Sequence, residues 1–366
     1  MQGEQTEKPI ANIYELWRNT DNTLGYISLE PLMSDSYKLN RRHLMLGASV
    51  TAAAYVAACN KVSDARAEET IDLTGTSILI TGCSSGFGRL GAEHYARLGA
   101  KVFATMRNLP RPEAAELEAL AKSKNLDITV LEIDITKDAQ VQSGVTAALK
   151  AAGGKLDVLI NNAGMSIAGP IEGQDMEATQ LIFDTNVFGA QRMARAVLPS
   201  MRANKSGYIF NVTSQLGRVI IPGFGQYSPT KFALEAMSEQ MAYEVAPFDI
   251  DVTIIQPGGY PTKIWFNQNA PSAALKARMT DDVINAYPHF TAGMGKREAG
   301  GGAADPMDIP RAISAAISQP QGSRPLRIAL HPKARPQEAV NKISKEVQLD
   351  VLGNSPMGPM IKKVLD

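Results

Sequence analysis

A chain of 366 residues holds one large domain with extensions, or two small ones, and its 44% hydrophobic content can fill a core. Lysine plus arginine equals aspartate plus glutamate at 37 each, so the charge balance points to neither nucleic acid nor a charged surface partner. Two cysteines in unlike contexts, Cys59 and Cys83, and four scattered histidines leave no disulfide framework and no metal cluster to build.

Residues 1–32 show no helical or strand period. Arg41-Arg42 then precede a charge-free run of small and apolar residues, Leu44 to Ala58. A paired arginine before such a run resembles a bacterial twin-arginine export signal. The run is shorter than the roughly 20 residues a spanning helix needs. Ala65-Arg66-Ala67 offers a cleavage site, and Val56-Ala57-Ala58-Cys59 resembles a lipobox that would anchor Cys59 to a membrane face. The expectation is a signal over 33–67, with Met33 as a natural start, the Tat translocase as partner and the periplasm as destination. An amphipathic helix packed on a cytoplasmic protein is the alternative.

From Ile71 the pattern changes. Thr76 to Ile80 is a short apolar run suited to a buried parallel strand. It enters the loop Thr81-Gly82-Cys83-Ser84-Ser85-Gly86-Phe87-Gly88, and a helical pattern follows from Arg89 to Leu98. Strand, glycine-rich turn and helix together suit a dinucleotide. The glycines allow a tight turn and close backbone approach, and the helix start aims free N–H groups at phosphate. Lys101 to Met106 reads as the second strand. Beyond it stands Arg107 where a carboxylate would take a ribose hydroxyl, so a 2′-phosphate is favoured there. That argues for NADP(H) over NAD(H), with Ser85 as a helper.

Residues 109–125 read as a helix opened by proline. Asp127 to Ile133 is the third strand and ends in Asp134-Ile135. Asp138 to Ala152 is helical, and Asp157 to Ile160 is the fourth strand, closed by Asn161-Asn162-Ala163-Gly164. One long helical stretch is expected from Asp175 to Asn204. It carries Asn186 among apolar neighbours, where a buried amide must find partners. Gly207 to Val212 is the fifth strand, ending in Thr213-Ser214. A helix from Tyr227 to Val245 follows, then the sixth strand, Asp251 to Gln256, closed by Pro257-Gly258-Gly259. Leu326 to Leu330 is the seventh.

This alternation predicts an α/β fold: a Rossmann-type doubly wound parallel sheet of about seven strands in a single domain, with helices on both faces. Its bounds are 71–330, between an extension over 1–70 and a tail over 331–366 with a helical pattern at Ala339 to Leu352. Gly82, Arg107, Asp134, Asn161, Ser214 and Pro257 all fall at carboxyl ends of strands, where such folds bind ligands. Tyr227-Ser228-Pro229-Thr230-Lys231 adds chemistry. A phenol titrates near ~10. A lysine one helical turn later would favour the phenolate, lower that value and make Tyr227 a proton donor or acceptor.

These residues resemble the classical short-chain dehydrogenase/reductase family, from about Ile71 to Leu330. Gly82, Gly86 and Gly88 match its cofactor loop, Asp134 the residue bordering adenine, and Asn161 to Gly164 the motif supporting the central strand. Asn186, Ser214, Tyr227 and Lys231 match its catalytic tetrad, and Pro257, Gly258 and Thr262 the segment beside the nicotinamide. The Cys-Ser-Ser-Gly loop with Ala104 to Arg107 resembles the NADP-preferring branch near the 17β-hydroxysteroid and retinol dehydrogenases. The expected cofactor contacts are Gly82, Ser84 to Gly88, Arg107, Asp134, Ile135, Asn161, Ala163, Gly164, Tyr227, Lys231, Pro257, Gly258 and Thr262. NAD(H) stays as the second choice.

The resemblance implies hydride transfer between a ketone or aldehyde and an alcohol. Ser214 would hold the substrate oxygen and Tyr227 exchange the proton. Lys231 would lower the tyrosine pKa and hold the ribose, and Asn186 would position a water that relays protons. Residues 260–302, with Trp265, Phe266, Tyr287 and Phe290, suggest an apolar lid for a hydrophobic substrate. A homo-oligomer, dimer or tetramer, is expected. A non-catalytic NADP(H) redox sensor is the alternative, against the intact tetrad. An extended-branch epimerase or dehydratase is the other, against the glycine spacing.

Overall fold

The computed structural model describes residues 71–365. The expected export signal, its cleavage site and Cys59 lie outside them. β1 (Ser77–Ile80) leads to α1 (Gly86–Arg97), β2 (Lys101–Met106) to α2 (Pro112–Lys124), and β3 (Ile128–Glu132) to α3 (Asp138–Ala151). β4 (Val158–Asn161) leads to α4 (Met176–Phe183) and α5 (Gly189–Asn204), and β5 (Gly207–Val212) to α6 (Tyr227–Val245). After β6 (Ile250–Pro257) come four short helices, α7 (Ile264–Asn267), α8 (Asn269–Arg278), α9 (Asp281–Ala286) and α10 (Pro288–Thr291). Then follow α11 (Asp308–Ile317), β7 (Arg327–Leu330), α12 (Gln337–Leu352) and α13 (Gly358–Leu365).

All seven strands run parallel, in the order β3-β2-β1-β4-β5-β6-β7. Consecutive side chains of a strand face opposite sides of the sheet. Ile78, Ile80, Val102, Ala104, Tyr208 and Phe210 therefore fill one core layer with α1, α2 and α11. Leu79, Phe103, Leu159, Ile209 and Ile254 fill the other, with α3, α5 and α6. Burying a large apolar side chain of this kind stabilises by about 1.5–3 kcal/mol. The tail joins this second layer through Ile361 and Leu365.

The chain winds outward from β1 to β3, then returns to the other side of β1 at β4. Strand order thus reverses between β1 and β4, and a crevice opens beyond their carboxyl ends. Among the described residues, no helix is long and apolar enough to cross a membrane.

One expected element is broken. The stretch expected as one helix from Asp175 to Asn204 is α4 and α5 joined by a π-helical turn, Asp184–Phe188. That extra residue in the helix lets Asn186 turn inward, where it is 2% exposed. Its Oδ1 accepts from the Met165 amide at 2.8 Å, and its Nδ2 donates to the Met165 carbonyl at 2.9 Å and to Thr230 Oγ1 at 3.0 Å. The buried amide thus ties the segment after β4 to the first turn of α6.

Candidate active site

The floor of the crevice is set by the ends of β1 and β4. Thr81 Oγ1 accepts from the amides of Asn162 and Ala163, both at 3.0 Å. Asn162 Nδ2 donates back to the Thr81 carbonyl at 2.8 Å. This lacing leaves no room for side chains between the two strand ends. A Cβ on Gly82 would lie 2.9 Å from Ala163 Cα, and one on Gly88 would lie 2.4 Å from the Gly82 carbonyl oxygen. Gly82 also has φ +76, in the left-handed region. The first amides of α1 have no carbonyl within the helix to meet, so they form an anion-binding start. No side chain caps that start.

Beyond β2, Arg107 is exposed and Arg111 Nη1 donates to its carbonyl at 3.3 Å. Arg111 also pairs with Glu113 at 2.9 Å, which holds that carboxyl down at about 2. Beyond β3, Asp134 Oδ1 accepts from the amide and hydroxyl of Thr136 at 3.0 and 2.8 Å. Arg107, Arg111 and Asp134 all face the same cavity, whose volume is about 990 Å³.

Three of the expected catalytic groups collect at the far wall. Ser214 follows β5 and opens a 3-10 turn, Gln215–Gly217, its Oγ accepting from the Leu216 amide at 3.0 Å. Tyr227 begins α6 and stands beside Ser214, whose hydroxyl draws the phenol's pKa down. Lys231, 4% exposed, donates from Nζ to the Val212 carbonyl at 3.0 Å and sits 5.6 Å from the centre of the Tyr227 ring. Ser214, Tyr227 and Lys231 all line the cavity.

The acidity of the phenol differs from the expectation. Burial pushes Tyr227 up to about 12, and what opposes it is the Ser214 hydroxyl rather than the Lys231 ammonium. Burial also pulls Lys231 down to about 8, against the charge of Glu235. The four-residue spacing places the amine over the ring, but removal from water outweighs their attraction. Cys83 in the glycine loop is buried, with its thiol pushed up to about 12, and is therefore an unreactive packing group.

Most expected contacts border the cavity: Gly82, Ser84, Ser85, Gly86 and Phe87 from the loop, Ile135, Ala163 and Gly164 beyond the strands, and Pro257, Gly258 and Thr262 after β6. Three do not. Gly88 lies behind the loop, where its lack of a side chain admits Asn162. Asn186 stands behind Gly164, whose Cβ position is 3.3 Å from its Oδ1. Asn161, expected to touch the cofactor, does not line the cavity. It is the last residue of β4 and points into the sheet layer, donating to Asn211 Oδ1 at 2.9 Å and to the Ala190 carbonyl at 3.4 Å. Its neighbour Asn162 faces the cavity instead.

Arg111 and Asn162 are cavity residues that the sequence reading did not place there. Arg111 gave a weak signal, a second cation shortly after β2.

The outer mouth is apolar, formed by Leu181, Ile221, Phe224, Trp265 and Phe266. Phe224 connects mouth to floor, with its ring 6.3 Å from both Tyr227 and Trp265. Arg297 lies 4.7 Å over the Trp265 ring and 5.8 Å from that of Phe224. Of the four lid aromatics, Tyr287 and Phe290 stack on each other at 6.5 Å and do not line the cavity.

Residues 76–273 match the family described as short chain dehydrogenase. The chain belongs to this family. Among curated relatives, it is 39% identical over 193 residues to a 3-ketodihydrosphingosine reductase of Bacteroides thetaiotaomicron, covering 52% of this chain and 66% of that one. It is 36% identical over 190 residues to human retinol dehydrogenase 8, covering 51% and 60%. Both matches span less than two thirds of the relative. A rat estradiol 17-beta-dehydrogenase 1 is 30% identical over 259 residues, 68% of this chain and 72% of that protein. Among solved structures, a short-chain dehydrogenase from Streptomyces avermitilis covers 75% of this chain and 95% of its own, with 30% identity and a TM-score of 0.58. One from Burkholderia phymatum, at 23% identity and TM-score 0.60, shares the fold, over 78% of this chain and 97% of its own. The glycine loop and the start of the tyrosine helix line one cavity.

Proposed function

We propose that this short chain dehydrogenase interconverts a hydrophobic ketone or aldehyde with its alcohol, using NADP(H) in preference to NAD(H). One observation carries the reading. A hydroxyl, a phenol and an ammonium, from Ser214, Tyr227 and Lys231, meet in the cavity that the glycine loop also lines.

The residues present fit a dinucleotide. The glycines strip side chains from the loop, the start of α1 offers free amides for a pyrophosphate, and Asp134 stands at the end of β3. Arg107 and Arg111 would meet a 2′-phosphate, since no carboxylate follows β2 directly. When bound, the cofactor supplies or accepts the hydride.

The chain's own groups supply placement and the proton. Ser214 orients the carbonyl oxygen beside Tyr227. Tyr227 then gives its phenolic proton to the oxygen as negative charge develops there. Lys231 keeps its amine over the ring of the phenolate that remains. Asn186 uses both ends of its amide on Met165 and Thr230, so its role here is to set the Gly164–Met165 wall against the lysine. The apolar mouth favours a hydrophobic substrate, as most small-molecule clefts do.

Reduction needs a protonated phenol and a charged lysine. Tyr227 keeps its proton until about 12, whereas Lys231 keeps its charge only below about 8. At neutral pH both conditions hold, so both groups stand in the protonation states that carbonyl reduction needs. Reductive kcat/KM is expected to fall as pH rises through about 8, and a profile flat to pH 10 would remove Lys231 from that role. The reading itself is tested by a panel of apolar ketones and aldehydes with NADPH, following loss of the reduced nicotinamide. Turnover of none of them would reject it.

A further inference from the structure

Behind the cavity, one helical turn past Lys231, lies a carboxylate removed from water. Glu235 is 1% exposed, and every part of it is committed. Its Oε1 accepts from Thr213 Oγ1 at 2.7 Å and from Gln256 Nε2 at 2.9 Å. Its Oε2 meets Arg327 Nε at 3.0 Å and Arg218 Nε at 3.4 Å. These partners come from the end of β5, from β6, from β7 and from the segment after the 3-10 turn. Arg327 also reaches Glu239, one turn further along α6, and Arg218 lies 3.8 Å from the same carboxylate. Tyr243 donates to Glu239 as well.

The turn that carries Ser214 is pressed onto this part of α6. A Cβ on Gly217 would lie 2.9 Å from Glu235 Cγ and 3.1 Å from the Lys231 carbonyl. The turn that carries Ser214 and the helix that carries Lys231 are therefore held together at the Glu235 site. Charge points the same way. Glu235 and Glu239 balance the half-buried Arg218 and Arg327, and the buried Lys231 lies one helical turn before Glu235.

We propose that Glu235 is a positioning residue for the reaction, holding the turn of Ser214 against the helix of Lys231 and setting a buried negative charge one helical turn behind the amine. This rests on the reading of Lys231 as a participant in carbonyl reduction. Glu235 does not touch the cavity and acts only through its neighbour. It opposes the burial that would strip the lysine of its proton. The charged groups that face it are Arg218, Arg327, Lys231 and, along its own helix, Glu239. Those that face Lys231 are Glu235 and the phenol of Tyr227. Removing the carboxylate leaves two guanidiniums and the ammonium against a single negative charge.

The test follows the Lys231 amine directly, in full-length protein labelled with 13C at lysine Cε, its signal assigned by its loss in Lys231→Met. In Glu235→Gln the midpoint of Lys231 is expected to fall by about one pH unit or more. In Arg327→Met, which removes a cation from the same cluster, the midpoint is expected to rise. The alkaline limb of kcat/KM should move with each. Opposite shifts separate an electrostatic role from simple damage to packing, which would move both variants the same way. An unmoved midpoint in a folded Glu235→Gln overturns the proposal, and so do two shifts of the same sign. Should Glu235→Gln fail to fold, the sign in Arg327→Met decides alone. If wild type reduces no carbonyl, only the catalytic reading falls, because the titration still reports on Glu235.

Discussion

The two halves of the cleft are built by different means. The half that faces the glycine loop is made of strand ends and backbone: β1 laced to β4 through Thr81 and Asn162, with glycines where chains touch. The outer half is made of side chains from α7, α8 and the segment before α6, closed over by an arginine resting on two rings. Backbone contacts of this kind tolerate almost no change, because a clash with a carbonyl has nowhere to go. Side chains on short helices can repack. The first half should therefore govern whether chemistry and cofactor binding occur at all, and the second should govern only which substrate is used.

The sharpest test lies where the halves meet. Tyr227→Phe removes one oxygen and keeps the ring. Reductive kcat should fall by roughly 10²–10⁴-fold, the span typical of a lost general acid. NADPH affinity, read by fluorescence titration, should change little. A variant with near-normal turnover would end the assignment.

Next in size is Gly88→Ala. Its added methyl would sit 2.4 Å from the Gly82 carbonyl oxygen and 2.5 Å from Asn162 Nδ2. Overpacking of this kind costs about 1–3 kcal/mol. A lower Tm and weaker NADPH binding are expected together. A Tm within error of wild type would mean that the strand ends are less rigid than the lacing implies. Smaller again is Arg107→Asp, which puts a carboxylate beyond β2. The ratio of kcat/KM for NADPH over NADH should drop by about tenfold or more, since one charge-assisted contact is exchanged for a repulsion. An unchanged ratio would leave Arg111 as the phosphate partner.

What could be read from sequence follows the same division. Parallel strands buried on both faces show as apolar runs, so each strand lies within a residue or two of its expected place. The glycine loop was legible because glycines between a strand and a helix have few other uses. Side-chain direction was not. Asn161 and Asn162 are identical as letters, yet the first closes β4 pointing into the sheet and the second emerges beyond it. The π turn at Asn186 has no local signature, because the bonds that justify it reach Met165 and Thr230, distant in sequence. Spacing put Lys231 over Tyr227 but carried no information on burial, which sets both of their pKa values. Nothing near Glu235 in the sequence marks it, since its partner Arg327 is 92 residues away.

The smallest effect is expected at the lid. Arg297 spans Trp265 and Phe224, and an exposed or partly buried contact of this type contributes about 0.5–2 kcal/mol. Its backbone amide donates to Asn269 Oδ1 at 2.8 Å, so the main chain stays anchored when the side chain is cut back. Arg297→Ala should free the Trp265 ring without unfolding the lid. The ring's indole would still donate to the Tyr260 carbonyl at 2.8 Å, which limits how far it can swing. KM for a bulky ketone should change a few-fold, while KM for a small one, and the affinity for NADPH, stay within twofold. If small and bulky substrates suffer alike, the arginine is holding up the floor through Phe224 and Tyr227, and the two halves of the cleft are not independent.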